Sequence, residues 1–235
     1  MRLLVTRPDE DAGPLLAALA ARGHEPVAAP LLTIRFLAEP AIPPAPYQAL
    51  LVTSANGVRA LGARKGELGR LKVFAVGEAS AEAASEAGFA EVVSAEGDVA
   101  SLVRLVAARL SPADGPLLHV AGSVVAGDLK GDLERRGFAV MRAVLYEAVA
   151  AMRLPEVARA GLAGGGIEGV LFHSPRTART FASLAREEGL GGALSPVTAY
   201  CLSQAVAEAL AGLPFAAVRV AGAPNQSSLL SLIRD

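Results

Sequence analysis

Two stretches of the chain, LLVTSANGVRAL (Leu50 to Leu61) and VLFHSPRTARTF (Val170 to Phe181), share one shape: an apolar run that stops at polar residues and passes into a helical pattern. Both belong to a longer repeat. AEAASEAGFAEVVSAEG, from Ala81, matches AEALAGLPFAAVRVAGA, from Ala207, so this module, b, occurs twice. A second module, a, recurs as LAARGHEPVAAPLL (Leu19 to Leu32) and LERRGFAVMRAVLY (Leu133 to Tyr146), and the order along the chain is a, b, a, b. Repetition restricts the fold more than any single motif, because a recurring module must solve the same packing problem twice.

Short Val/Leu/Ala strands alternate with Ala/Leu/Glu/Arg helices, the pattern of parallel sheets covered on both faces. RLLVT leads into a helix near Asp11 to Arg22, which Gly23 stops before the strand PVAAPLL. QALLVTS, KVFAVG, AEVVSA, PLLHVAG and FAVMRAVLYEAV read as further strands, with a helix after each of the first four. EGVLFHS, VTAYCLS and AAVRVAG follow, and a helix around Ser227 to Arg234 closes the chain. About ten strands are expected. Each a supplies two and each b three, so any a with any b makes a five-stranded doubly wound parallel sheet of flavodoxin-like type.

Which a pairs with which b stays open at this level. Sequential pairing places a boundary in LSPADGP, near Ser111 to Gly115; crossed pairing places two crossings near 33–46 and 147–155. The second has the better linkers, since Ile34 to Pro46 is rich in proline and both crossing segments extend strands with alternating apolar residues. The expected organisation is a discontinuous domain of residues 1–34 and 151–235, with residues 35–150 inserted.

Twenty-two basic against twenty-three acidic residues give a net charge of -1, without the excess that a nucleic acid partner demands. Aromatic residues at 4%, with no Trp, make no base-stacking platform. No window approaches the ~20 uninterrupted apolar residues of a membrane span, and MRLLVTRPDEDAG is no signal peptide. A cytoplasmic protein is expected, acting as a monomer. One cysteine and three histidines without ligand spacing predict neither a disulfide nor a metal site. Cys201, in an apolar strand, reads as a small core residue, and His24, in a turn beside Gly23, as facing solvent.

LLVTRP at the start, LLVTSANGV, FAVGEASAEAASEAGF and the strand ending AVLYEA together resemble the uroporphyrinogen-III synthase family, in its order and spacing, over essentially the whole chain. The resemblance implies two flavodoxin-like domains joined by a two-strand connection, with the active site in the cleft between them. It implies that linear hydroxymethylbilane loses water and closes to a macrocycle with its last pyrrole ring inverted, without metal or organic cofactor. The chain departs from the family in LSQAV, where Ser203 stands in place of the usual glycine and Val206 in place of a hydroxyl.

Such a substrate carries eight carboxylates, and helix N-termini at strand ends can hold them with backbone N–H groups. Strand ends here carry Arg7, Ser54, Ala55, Asn56, Gly77, Ser80, Gly122, Ser123, Ser174, Pro175, Arg176 and Ser203, each set followed by a helix start. Arg7 and Arg176 would offer paired donors to a carboxylate, Gly77 either a close backbone approach or a tight turn. Ser54, Ser80 and Ser174 are also preferred cap types, and capping alone would explain them. None is expected to be a nucleophile, because TSANG lacks the G-x-S-x-G elbow and no histidine has an identifiable carboxylate partner. His119 and His173 end strands and could touch substrate. Tyr146 ends the second strand of its module and matches the tyrosine that the family is thought to use in helping the hydroxyl leave. A phenol ionises near pH 10 in water, so it suits the role of proton donor; a half-buried structural tyrosine is the alternative.

Two other functions fit the same elements. One is a clamp that binds a small anion without catalysis, which would compact on ligand binding without forming product. The other is a nucleotide-binding doubly wound protein, for which neither a Walker segment nor GxGxxG is present.

Overall fold

A computed structural model describes residues 1–38, 42–95, 97–125 and 127–233. The chain runs β1 (Arg2–Val5), α1 (Asp9–Ala20), β2 (Glu25–Ala28), β3 (Leu32–Phe36), β4 (Ala49–Val52), α2 (Ala55–Leu61), β5 (Lys72–Ala75), α3 (Glu78–Glu86), β6 (Val92–Ser94) and α4 (Val99–Arg109). It continues through β7 (Leu117–Gly122), α5 (Leu129–Glu134), β8 (Val140–Ala150), α6 (Glu156–Ala163), β9 (Gly169–Phe172), α7 (Pro175–Glu187), β10 (Thr198–Cys201), α8 (Gln204–Glu208), β11 (Ala217–Val220) and α9 (Gln226–Leu230).

The strands form two sheets. One has the order β11-β10-β9-β1-β2, and its ladders are all parallel. The other has the order β3-β8-β7-β4-β5-β6, with parallel ladders from β8 to β6. The first a module thus shares a sheet with the second b module, and the second a with the first b. The chain divides into two compact units, Met1–Thr33 with Val149–Asp235, and Ile34–Ala148. Part of the first crossing, residues 39–41, lies outside the described residues.

Burial follows strand position. β4 (ALLV) and β9 (GVLF) are central and buried at every residue, whereas the edge strand β11 (AVRV) is partly exposed throughout. A parallel strand covered by helices on both faces has no polar side, so a continuous apolar run is what a central position requires. Around β9 the core closes on Phe172, whose ring lies 5.1 Å from Phe181 and 6.4 Å from Phe215 in edge-on geometry. Gly169 is required there: a Cβ would come within 2.7 Å of the Tyr200 ring and 2.8 Å of Leu3. Cys201 is fully buried, and burial pushes its thiol up to about 12.

Several expectations are corrected. Eleven strands are present among the described residues, because PVAAPLL is not one strand: Pro30, with no N–H to give a ladder, separates β2 from β3. The second sheet has six strands, not five, since β8 runs on to Ala150 and carries β3 along its outer edge, where Leu37 donates its N–H to the Leu145 carbonyl at 2.9 Å. Tyr146 consequently lies inside β8, not at its end. α1 begins at Asp9, where Pro8 ends the loop and Asp9, Glu10 and Asp11 complement the helix N-terminus. α9 spans only Gln226–Leu230, capped by Asn225 accepting from Ser228 N–H at 2.8 Å, and Arg234 lies outside the described residues. His24 is buried, 9% exposed, rather than facing solvent: Gly23 turns at φ 78° and His24 donates its N–H back to the Leu19 carbonyl. No helix among the described residues is long and apolar enough to cross a membrane.

Candidate active site

In a parallel sheet all strand C-termini open on one edge, and ligands collect where the chain leaves neighbouring strands in opposite directions. In the unit of residues 34–148 that point lies between β4 and β7: β4 leads on to β5 and β6 on one side, β7 to β8 on the other. Val52 pairs with Val120, which carries Thr53 and Ser54 alongside Ala121 and Gly122.

A cavity of about 350 Å³ opens at this edge. Thr53, Ser54, Asp98 and Tyr146 supply its polar lining. Val76, Val99, Val124 and Val125 form the apolar remainder, Val124 being 63% exposed. Ser54, with extended backbone, caps α2 and accepts the Asn56 N–H at 3.2 Å. Ala55 begins that helix; Asn56 is buried and accepts from Arg59 at 2.8 Å. α2 can lie this close to β7 because of Gly57, where a Cβ would sit 3.0 Å from the Val120 carbonyl oxygen.

Gly77 precedes α3 with φ -162°, a conformation any residue adopts, and a Cβ there would meet nothing within 4 Å. Neither a tight turn nor packing therefore demands this glycine. Ser80 is not a cap: it lies within the first turn of α3, buried, and donates its N–H to the Gly77 carbonyl. Nor do Gly122 and Ser123 open directly on a helix, because α5 is capped by Asp128.

Tyr146 packs on Gly122. A Cβ at Gly122 would stand 2.8 Å from both Cε2 and Cζ of the Tyr146 ring, so glycine alone leaves room for it. The β7–β8 ladder shifts register between Ala121 and Gly122, and Ser123 donates its N–H to the Tyr146 carbonyl at 2.9 Å. Arg142 secures the same turn by donating from Nη2 to the Ser123 carbonyl at 2.9 Å and to that of Gly122. Asp98 caps α4, accepting the N–H and hydroxyl of Ser101, and these bonds hold its carboxyl below the usual range.

The unit of residues 1–33 and 149–235 has its own switch point, between β1 and β9. Val5 pairs with Leu171, which brings Arg7 beside His173. Both ring nitrogens of His173 are buried without a hydrogen-bond partner, and burial, helped by the Arg7 charge, lowers its pKa to about 3. Ser174 caps α7, accepting the Thr177 N–H at 3.1 Å, with Pro175 and Arg176 in the first turn. Ser203 precedes α8 but makes no side-chain cap. Among the helix starts expected to hold anions, those of α3 and α7 open helices of nine and thirteen residues, those of α2 and α8 helices of seven and five. Among the described residues no group of three or more His, Cys, Asp or Glu could hold a metal ion.

The sequence matches the model of one protein family, uroporphyrinogen-III synthase HemD, over residues 14–231. The chain belongs to the uroporphyrinogen-III synthase family. This is a family of cyclising lyases in haem-type tetrapyrrole biosynthesis. The fold agrees with solved synthases. The Helicobacter pylori uroporphyrinogen-III synthetase superposes with a TM-score of 0.68 at 17% identity, covering 99% of this chain and 98% of that one. A mutant uroporphyrinogen III synthase of Thermus thermophilus gives a TM-score of 0.55 at 19% identity, covering 98% and 96%. No curated protein sequence matches the chain.

Set against the synthase family, the site contains residues that sequence reasoning passed over. Thr53 stands next to Ser54 in sequence, whereas Asp98, Val124 and Val125 lie in the loops after β6 and β7 and have no residue pattern that marks them as site residues. Ser54 itself gives a modest expectation. Ser54→Ala should lower stability by about 1 kcal/mol through the lost cap, and raise the KM for bilane slightly while kcat stays near wild type; thermal melting and steady-state kinetics would read the two.

Proposed function

We propose that this chain converts hydroxymethylbilane to uroporphyrinogen III, with loss of water and inversion of the last pyrrole ring. The family match over residues 14–231 carries this reading. The β4–β7 cavity supports it chemically: a phenol donor, two hydroxyls and the Asp98 carboxylate, an acceptor for a pyrrole N–H, stand against valines, a surface suited to pyrrole rings. The order 2-1-3-4-5 of each set of five parallel strands, counted from its a module, supports a flavodoxin-like reading of both units.

In this reading Tyr146 donates the proton that lets the terminal hydroxyl leave as water. Backbone N–H groups at the starts of α3 and α7, with Arg7 and Arg176, hold carboxylates. Ser54, Ala55, Asn56, Gly77 and Gly122 to Ser123 line the approach in one unit, Ser174, Pro175 and Ser203 in the other. Ser80, buried in α3, serves the helix. Most of the acceleration comes from bringing the two ends of a flexible bilane together, a proximity effect, and no cofactor enters the scheme.

The decisive assay separates product isomers. Spontaneous closure of the bilane gives the uninverted isomer I, so wild-type protein should yield isomer III in excess over that background. Isomer I alone, from protein shown to be folded by circular dichroism, would remove the assignment.

A further inference from the structure

His119 stands in β7, 2% exposed, and its Nε2 lies 3.3 Å from the Thr53 hydroxyl. Its other nitrogen, Nδ1, is buried without a partner. Thr53 in turn lines the cavity beside Ser54 and Tyr146. A buried histidine bonded through one nitrogen only has to place its single proton on one side or the other, and the two choices have different consequences for the threonine.

The ring is neutral at physiological pH, because burial, with the Arg142 charge adding to it, lowers its pKa to about 4. With the proton on Nδ1, a buried N–H would point at nothing, and Thr53 would spend its own hydrogen on Nε2. With the proton on Nε2, only a lone pair is left bare at Nδ1, and N–H donates to Thr53 Oγ1. Orphaned buried N–H groups are the rarer defect in folded proteins, so the second arrangement is favoured. A hydroxyl has one hydrogen and can accept as well as donate. Once Oγ1 accepts from His119, that hydrogen is free to point into the cavity.

We propose that His119 is a positioning residue that sets the polarity of Thr53, turning its hydroxyl into a hydrogen-bond donor for a carboxylate of the bound substrate. The inference rests on the synthase reading for the identity of the ligand, but the proton's place on the ring is a property of the free protein. Thr53 then supplies an anion contact of its own beside the start of α2.

Two measurements test it. Nitrogen-15 NMR of histidine-labelled protein at pH 7 should show His119 as the Nε2–H tautomer; an Nδ1–H tautomer overturns the proposal whatever the enzyme does. In steady state with hydroxymethylbilane, Thr53→Val should raise KM about tenfold, the loss expected for one hydrogen bond to a charged group, with kcat within about twofold. His119→Phe should raise KM by several-fold alone and add nothing in the Thr53→Val background, while His119→Gln, whose amide can donate from the place of Nε2, should restore most of the loss. Additive effects of His119→Phe and Thr53→Val, or an unchanged KM in Thr53→Val, would overturn it. If His119→Phe does not fold, the His119→Gln variant and the tautomer decide. Failure of wild-type protein to form isomer III would instead strike the synthase reading and leave the tautomer result standing.

Discussion

Tyr146→Phe should lower kcat by about 100-fold, the lower end of what a positioned proton donor contributes, equivalent to about 2.7 kcal/mol of barrier. The substitution is well suited to isolating chemistry from structure. The closest approach of the ring to Gly122 is made by Cε2 and Cζ, with the phenol oxygen farther off, and the bond from Ser123 N–H to the Tyr146 carbonyl is a backbone bond. Phenylalanine preserves both, so the melting temperature should stay within a few degrees of wild type. Isomer III should still exceed isomer I, because folding of the bilane does not depend on the acid. Wild-type turnover in a folded Tyr146→Phe protein would exclude the residue from the chemistry and return it to a structural tyrosine.

Gly122→Ala should be nearly as damaging from outside the reacting groups. Its Cβ would have to occupy a point 2.8 Å from two Tyr146 ring carbons, closer than side chains pack, so the ring or the β7 bulge must shift. Displacement of a catalytic group by about 1 Å can cost on the order of 100-fold in rate, and overpacking of this kind destabilises by roughly 1 to 3 kcal/mol. The expected result is kcat close to that of Tyr146→Phe, with a melting temperature lower than wild type. Retention of full activity would mean that the ring position seen here is not the working one. Arg142 should make the displacement harder to absorb, since its guanidinium already ties the carbonyls of Gly122 and Ser123.

The three serines show where local pattern suffices and where it does not. Ser54 and Ser174 each follow a fully buried strand and precede helix, and both cap, because the cap bond reaches only two or three residues along the chain. Ser80 has the same preferred type but falls inside α3, because the chain turns into helix after Gly77, three residues earlier. Gly122 illustrates the opposite case. In sequence it reads only as a strand-end residue before a helix start, yet what excludes a side chain there is Tyr146, on another strand. His24 is buried although it follows a glycine turn, because such a turn marks the surface only on average.

Strand and helix periodicity, the two-fold recurrence of modules a and b, the fully apolar central strands and the caps at Ser54 and Ser174 were all determined by the chain on its own, because each depends on hydrogen bonds and side-chain spacing within a few residues. Which a module joins which b module was not, for the copies are nearly equivalent locally and only the packing of whole sheets chooses between them. Tertiary structure likewise decided the sixth strand of one sheet, the cavity bounded by Val124 and Tyr146, and the meeting of Thr53 with His119. Those contacts join β4, β7 and β8 across intervals that local propensity does not span, so they exist only once the sheet has formed.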